Sequence, residues 1–314
     1  MRVRVLDLDD GISAKREVVA RCKAQLISLQ DWGPRIRIAC SWGTYRRFEW
    51  ACHKGLGTNL DAPALTLYGS GDFHHVTLAL LRRLRGPFNL LVLDKHPDWM
   101  RGVPVLHCGT WLYHALKLPN LQRVLHLGGE LDFDNLFRWL APWQSLRSGR
   151  IMTFPAVRRF KRGKWRQVSN EPLREHPQQR LGVERLEAIL ADARGDLARY
   201  PLYISLDKDV MNQCDAVVNW DSGYLELSEV QLILNWLIAA CGGNLAGMDI
   251  LGDWSPVRVQ GLLRCVLHAT EHPSLAVDAR AAAQRNAVVN LALVESVRSA
   301  LSKSRDCRTA SLAG

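Results

Sequence analysis

Residues 88–98 read FNLLVLDKHPD, and this stretch decides how the rest of the chain is interpreted. Its first six residues are mostly apolar, which is typical of a strand buried on both faces of a parallel sheet. Alternate residues of an extended segment point to one side, so Asp94, His96 and Asp98 can converge while Lys95 points away. Two carboxylates and an imidazole suit manganese or zinc. The stretch therefore predicts a metal site where a buried strand ends.

Length and composition indicate an α/β protein. The chain has 314 residues, of which 47% are hydrophobic, and alternating strand and helix patterns favour one domain over residues 1–302 with a flexible tail at 303–314. It contains no apolar stretch of about 18 residues, and its N-terminus does not resemble a signal peptide, so we expect a soluble, cytoplasmic protein without a membrane partner. The eight cysteines lack a Cys-x-x-Cys pair, which argues against a disulfide framework.

The net charge of +10 raises the question of nucleic acid binding. Residues 158–166 read RRFKRGKWR, and alternating cations and aromatic rings can stack on bases or hold phosphates. No nucleic-acid module accompanies this run, so we favour a solvated hairpin in a basic insertion at about 148–182, and do not expect nucleic acid as a partner. Guidance of an anionic substrate or a contact in a homo-oligomer is a third interpretation.

Two further apolar strands end in candidate metal ligands. Residues 65–68 lead into a glycine-rich loop that carries His74 and His75, and residues 202–206 lead into Asp207 and Asp209. Either motif alone could be a helix cap or a structural histidine. Ligands gather at the carboxyl ends of parallel strands, so we interpret the three strand ends as one shared metal site.

The rest of the chain gives weaker local predictions. We expect helices near 14–29, 76–84, 183–197, 227–240 and 278–301, with Ser228 as the N-cap of the fourth. A strand at 245–251 ends close to Asp253.

In their order along the chain, these motifs resemble those of the ureohydrolase superfamily of arginases, agmatinases and formiminoglutamases. The resemblance covers roughly residues 65–300 and rests on the histidine loop, Asp-x-His-x-Asp, the segment His-Cys-Gly-Thr at 107–110, Ser-x-Asp-x-Asp at 205–209 and acidic-x-x-Pro at 253–256. It implies an arginase-like three-layer α/β/α fold with a mainly parallel sheet. It also implies a dinuclear centre with two Mn²⁺ ions, for which other divalent ions such as Zn²⁺ could substitute.

The resemblance also implies roles for individual residues. One metal is assigned to His74 and Asp98, the other to His96 and Asp209, and the bridging ligands are Asp94 and Asp207. A gapless overlay of the histidine loop selects His74, with His75 as the alternative. Asp98, His107 and Asp253 are the candidate catalytic residues: His107 as a proton shuttle and Asp253 as the carboxylate that holds a substrate cation. The expected reaction is attack of a metal-bridging hydroxide on a guanidino or formimino carbon.

Several departures from the family pattern bear on the substrate. Lys95 and Lys208 stand where small or apolar residues are usual, Asn212 and Gln213 replace Asp-Pro, and the acidic residue near the end is Asp253 instead of a glutamate. The leading hypothesis is a metal-dependent hydrolase of a non-peptide C–N bond in a small molecule. An amide hydrolase resembling the deacetylases is the second, and a catalytically silent metal-binding or regulatory protein is the third.

Overall fold

The computed structural model describes residues 1–12, 16–58, 63–102, 104–130, 136–157, 169–272 and 276–313. Its strands are β1 (Arg2–Asp7), β2 (Gln25–Ser28), β3 (Ala39–Cys40), β4 (Ala64–Tyr68), β5 (Phe88–Leu93), β6 (Leu106–His107), β7 (Leu121–Leu127), β8 (Ile151–Phe154), β9 (Leu202–Asp207) and β10 (Leu245–Leu251). Its α-helices are α1 (Arg16–Cys22), α2 (Gly33–Ile36), α3 (Trp42–Leu56), α4 (Val76–Leu81), α5 (Trp111–Ala115), α6 (Trp143–Arg147), α7 (Val183–Leu190), α8 (Arg194–Arg199), α9 (Leu227–Ala240), α10 (Leu262–Glu271) and α11 (Ala279–Ala313).

Eight of these strands form a central sheet in the order β2-β1-β4-β10-β9-β5-β7-β8. All the strand pairs of this sheet are parallel in the described part of the chain. Strands β3 and β6 form a separate antiparallel pair. Strands β4, β10, β9 and β5 are neighbours at the centre, so the loops that follow them leave the same edge of the sheet side by side.

The sheet is covered on both faces, because successive side chains of a strand point in opposite directions. In β5, Leu91 and Leu93 belong to one apolar cluster, which includes side chains of α9 and α11. Leu90 and Val92 belong to a second cluster, which includes side chains of α3, α4 and α5. The predicted three-layer α/β/α arrangement with a parallel sheet is therefore confirmed.

Two of the predicted helices are wrong in extent. The helix expected at 14–29 is limited to α1, and Gln25–Ser28 instead forms β2 at the edge of the sheet. Pairing with β1 supplies these four residues with inter-strand hydrogen bonds, which outweigh their weak local preference for a helix. The helix expected at 183–197 is divided into α7 and α8 by a short 3₁₀ turn.

The structure also bears on the insertion, the tail and one helix cap that the sequence predicts. Strand β8 lies inside the span 148–182 and pairs with β7, so this span is not wholly an insertion. The basic residues 158–166 lie outside the described residues. Helix α11 continues to Ala313, where a flexible tail is expected. Helix α9 begins after Glu226, whose backbone N–H donates to Glu229 at 2.8 Å, and Ser228 is therefore not its cap.

A search of the described helices finds none with the length and the apolar character needed to cross a bilayer.

Candidate metal centre

The six predicted metal ligands lie at the carboxyl ends of three central strands. His74 follows β4, Asp94, His96 and Asp98 follow β5, and β9 ends at Asp207 with Asp209 two residues later. Five of them are buried, and the His96 side chain is 39% exposed. The sheet order brings together residues that are up to 135 positions apart, as the strand-end argument predicts.

Two groups among these residues have the geometry of metal-binding sites. The ligand atoms of His74, Asp94 and Asp98 lie within 4.8 Å of one another, and so do those of Asp94, His96 and Asp209. Asp94 belongs to both groups. Asp207 lies beside the first group, with its Oδ2 3.7 Å from His74 Nδ1.

His74 is oriented by a chain of hydrogen bonds beneath the first group. Ser205 Oγ donates to Asp249 Oδ1 at 2.8 Å and lies 3.0 Å from His74 Nε2, which therefore acts as the donor. Nδ1 faces Asp94 Oδ2 at 3.0 Å and Asp98 Oδ2 at 2.9 Å. Burial disfavours the charged form of His74, but the hydrogen bonds to these two carboxylates outweigh it and raise its pKa well above the usual value, so a cation bound at Nδ1 would displace a proton. A histidine whose second nitrogen is held in this way is typical of metal sites.

His75, the alternative ligand, belongs to neither group. Its ring packs 6.3 Å from that of Tyr45, and burial lowers its pKa to about 3, so it is a neutral core histidine. The overlay that selects His74 agrees with this placement.

Each ligand carboxylate has one oxygen fixed by a nearby N–H group. The backbone N–H of His96 donates to Asp94 Oδ1 at 2.6 Å, and that of Asp209 donates to Asp207 Oδ1 at 3.0 Å. Asp209 Oδ1 accepts from the backbone N–H of Lys95 at 3.0 Å. The indole of Trp111 donates to Asp98 Oδ2 at 2.8 Å. These bonds position the carboxylates around a common centre.

Close packing at Asp207 requires glycine nearby. Gly252, directly after β10, has a φ of +93°, and a Cβ there would lie 2.3 Å from Asp207 Oδ1. A larger residue would displace this carboxylate. Asp98 itself has a positive φ of 49°, an uncommon conformation that aspartate tolerates better than most residues.

The electrostatics of the groups fit bound cations. Burial and the neighbouring Asp209 raise the pKa of Asp94 well above its usual value and that of Asp207 to about 7. Burial disfavours the charged form of His96, but the carboxylates of Asp209 and Asp94 outweigh it and raise its pKa to about 10. Asp94, Asp207 and His96 thus bind protons more tightly than usual, and a divalent cation in this buried space would displace them.

Both lysines inside the motifs point away from the ligand groups. The ammonium of Lys95 donates to the backbone oxygen of Ser222 at 3.1 Å. Lys208 is fully buried, forms an ion pair with Asp253, and donates to Asn290 Oδ1 at 2.9 Å. Lysines at these positions therefore do not occupy the metal sites.

The same ion pair bears on the role expected for Asp253. This carboxylate is fully buried, is bound to Lys208, and accepts a hydrogen bond from Asn290 Nδ2 at 3.0 Å. It does not line the cavity that contains the ligand groups. A substrate cation would have to replace the ammonium of Lys208, so Asp253 is a structural partner of this lysine.

A cavity of about 360 Å³ opens over the ligand groups. Apart from the ligands, its wall includes the apolar side chains Met100, Phe137 and Trp220. His107, the predicted proton shuttle, also lines it. This volume suits a small molecule.

His107 pairs with a carboxylate that the sequence reasoning missed. Its Nδ1 accepts from the backbone N–H of Gly109 at 2.9 Å, so the proton is on Nε2, which lies 3.0 Å from Glu271 Oε2. Glu271 ends α10 and lines the same cavity. No local motif marks this glutamate. By contrast, the sequence does mark Ser205 and Asp249. Ser205 is two residues before Asp207 in β9 and so points to the same side of the strand, and Asp249 is a charged residue inside the apolar strand β10.

Comparison with known proteins gives a weak sequence match. No model of a known protein family matches the sequence. A protein of Thermotoga maritima described as uncharacterized is 25% identical over 193 residues, which are 62% of this chain. The match spans 59% of the length of that curated relative.

Comparison with solved structures is informative about the fold. Proclavaminate amidino hydrolase from Streptomyces clavuligerus aligns with a TM-score of 0.56 at 17% identity, covering 94% of this chain and 91% of that one. Arginase from Bacillus subtilis aligns with a TM-score of 0.55 at 14% identity, covering 94% of this chain and 98% of that one. A hypothetical agmatinase from Burkholderia thailandensis aligns with a TM-score of 0.53 at 18% identity, covering 95% of this chain and 86% of that one.

This chain therefore has the fold of arginases and agmatinases. The arginase-like fold that the motifs imply is confirmed. The resemblance of the motifs to those of the ureohydrolase superfamily is thus accompanied by a likeness in fold, at 14–18% sequence identity.

Proposed function

We propose that this protein is a dinuclear-metal-dependent hydrolase of a non-peptide C–N bond, similar to the ureohydrolases, that acts on a guanidino or formimino carbon of a small molecule. The observation that carries the proposal is the pair of ligand groups that share Asp94 at the carboxyl ends of β4, β5 and β9. It occurs in a fold shared with an amidino hydrolase and with arginases. A cytoplasmic location, and Mn²⁺ as the native metal, belong to the same proposal.

The residues present fit two divalent ions. Asp94 would bridge them, Asp207 would complete the bridge beside His74, and the oxygen and imidazole ligands suit manganese. Two such ions would supply a water of lowered pKa and would stabilise charge that develops on the attacked group. The surrounding chain keeps the carboxylates in place through the N–H groups described above.

His107 is proposed to move protons at the cavity wall. Its imidazolium form can donate a proton to a leaving nitrogen and return to the neutral imidazole, and Glu271, which lies 3.0 Å from Nε2, stabilises that charged form. Asp98, whose Oδ2 is held by Trp111, remains in the proposed ligand and catalytic set. Met100, Phe137 and Trp220 limit the water around the substrate.

One observation favours an amide hydrolase as the second candidate. The charge of Asp253 is already balanced by Lys208, so the carboxylate expected to hold a guanidinium is not available to a substrate. An uncharged amide would not need it.

A metal analysis combined with a substrate screen tests the proposal. Purified protein loaded with Mn²⁺ is expected to hold close to two ions per chain and to release urea or ammonia from guanidino or formimino compounds. Release of acetate from acetylated polyamines alone would place the amide hydrolase first. Two bound ions without turnover of any of these compounds would support the catalytically silent protein.

A further inference from the structure

Glu271 has no role in the metal groups, yet it lies in their cavity. Among the described residues that line this cavity, the carboxylates are the four ligand aspartates and Glu271. Its side chain is 34% exposed, so it can be reached by a substrate. Since Asp253 is buried against Lys208, Glu271 is the acidic group available for recognition in this cavity.

The position of Glu271 is fixed by two neighbouring contacts. Its Oε2 lies 3.0 Å from His107 Nε2, whose orientation is set by Gly109. The next residue, His272, lies with its Nε2 2.7 Å from Oδ1 of the buried Asp72. Both contacts hold the C-terminal end of α10 at the cavity, which reduces the ordering cost of binding a ligand there.

The surroundings of Glu271 are electrostatically suited to a cation. The C-terminal end of a helix carries partial negative charge, so an acidic residue in the last turn of α10 is unfavourable unless a cation compensates it. Aromatic side chains on the cavity wall, Trp220 and Phe137, offer further attraction to a cation. An acidic residue at the C-terminal end of a helix goes against the electrostatic preference of the helix, and residues that break a local rule in this way are often found at binding sites.

We propose that Glu271 is the specificity-determining residue of the cavity and binds the N–H donors of a substrate's cationic amidinium or guanidinium group. This inference rests on the proposed function, and it transfers substrate recognition from the sheet edge at Asp253 to α10. In addition to its proposed role in proton transfer, His107 positions Glu271, because its Nε2–H holds one carboxylate oxygen. A planar cation with paired N–H donors matches a carboxylate in charge and in geometry.

The test measures ligand binding by calorimetry on protein loaded with Mn²⁺. The probes are n-butylguanidinium and n-butylurea, which have similar shapes but differ by one charge. The parent protein is expected to prefer the cation, and Glu271→Gln is expected to reduce this preference by about 10-fold or more, since a charge-assisted hydrogen bond is lost. Glu295→Gln, at an exposed position on α11, makes the same change in net charge and is expected to keep the preference.

Binding of n-butylurea to Glu271→Gln shows that the variant's cavity is intact. An unchanged preference in Glu271→Gln would overturn the inference, and so would a parent protein that does not bind n-butylguanidinium. These outcomes are separate from those of the substrate screen. Binding that depends on Glu271 without hydrolysis would refute the proposed function alone, and hydrolysis with no preference for the cation would refute this inference alone.

Discussion

The buried ion pair between Lys208 and Asp253 can be tested by replacing Asp253. If Asp253 has a structural role, the replacement lowers the stability of the protein; if it binds substrate, the replacement weakens substrate binding. In Asp253→Asn the carboxylate is lost while size and shape are kept. Lys208, which has no exposed surface, then keeps its hydrogen bond to Asn290 but loses its counter-ion. We expect a large loss of stability with both metal sites retained.

The magnitude follows from two independent arguments. Removing one partner of a buried ion pair typically costs about 3–5 kcal/mol. Alternatively, the lysine can lose its proton, which at pH 7 costs about 4.6 kcal/mol for an ordinary lysine pKa of about 10.4. Unfolding entropy of about 2.1 cal/mol/K per residue gives roughly 0.66 kcal/mol/K for 314 residues, so the melting temperature should fall by about 5–8 °C.

The assay is thermal unfolding of the metal-loaded protein at pH 7 and pH 9. If Lys208 becomes neutral in the variant, the unfolded state binds more protons than the folded state, so the variant's stability rises with pH and the deficit should shrink at pH 9. Asp192→Asn, at an exposed position, is the matched control and should change stability by less than about 0.5 kcal/mol. The double variant Lys208→Met with Asp253→Leu should recover part of the loss, because it removes both buried charges but also removes two hydrogen-bond partners of Asn290.

The reasoning would be refuted by an Asp253→Asn protein that has the same melting temperature as the parent protein but no longer binds n-butylguanidinium. That result would return Asp253 to the substrate site.

Three further predictions concern the metal centre. Asp94→Ala should lose both ions together, as measured by metal analysis, because Asp94 belongs to both ligand groups; a variant that still holds two ions would disprove the bridge. His107→Ala should keep its metals but lose about 10²-fold in turnover, with partial rescue by imidazole, and loss of metal would make His107 a ligand. Metal-free protein should melt at a lower temperature at pH 9 than at pH 6, because His96, with a pKa of about 10, and Asp207, with a pKa of about 7, bind protons more tightly when folded and lose them as pH rises. Added Mn²⁺ should make the melting temperature depend less on pH. A melting temperature of the metal-free protein that rises with pH would contradict the raised pKa values of His96 and Asp207.

The sequence was sufficient to predict the centre of the sheet and the convergence of the candidate ligand residues at its edge. Apolar runs at β4, β5 and β9 are long and buried on both faces, so their pattern is unambiguous. Period-two alternation then places Asp94 and His96 on one side and Lys95 on the other. Both inferences use only interactions within one strand.

Other features depend on tertiary contacts that no local pattern encodes. Strand β2 exists because β1 lies beside it, and the recruitment of Lys208 by Asp253 joins segments 45 residues apart. The contact of Glu271 with His107 spans 164 positions. For this reason the sequence did not predict the pairing of Asp253 with Lys208.

The N–H groups that hold the ligand carboxylates also have a consequence for metal acquisition. Since these oxygens are already fixed by Lys95, His96 and Asp209 backbone donors and by Trp111, little chain ordering remains to be done when an ion arrives. Such a preformed site favours divalent ions whose size matches the spacing of its ligands, and it discriminates little among ions of similar size. The ion found in the protein would then reflect which metals are available in the compartment where the chain folds, and the same polypeptide made under different metal supply would carry different ions.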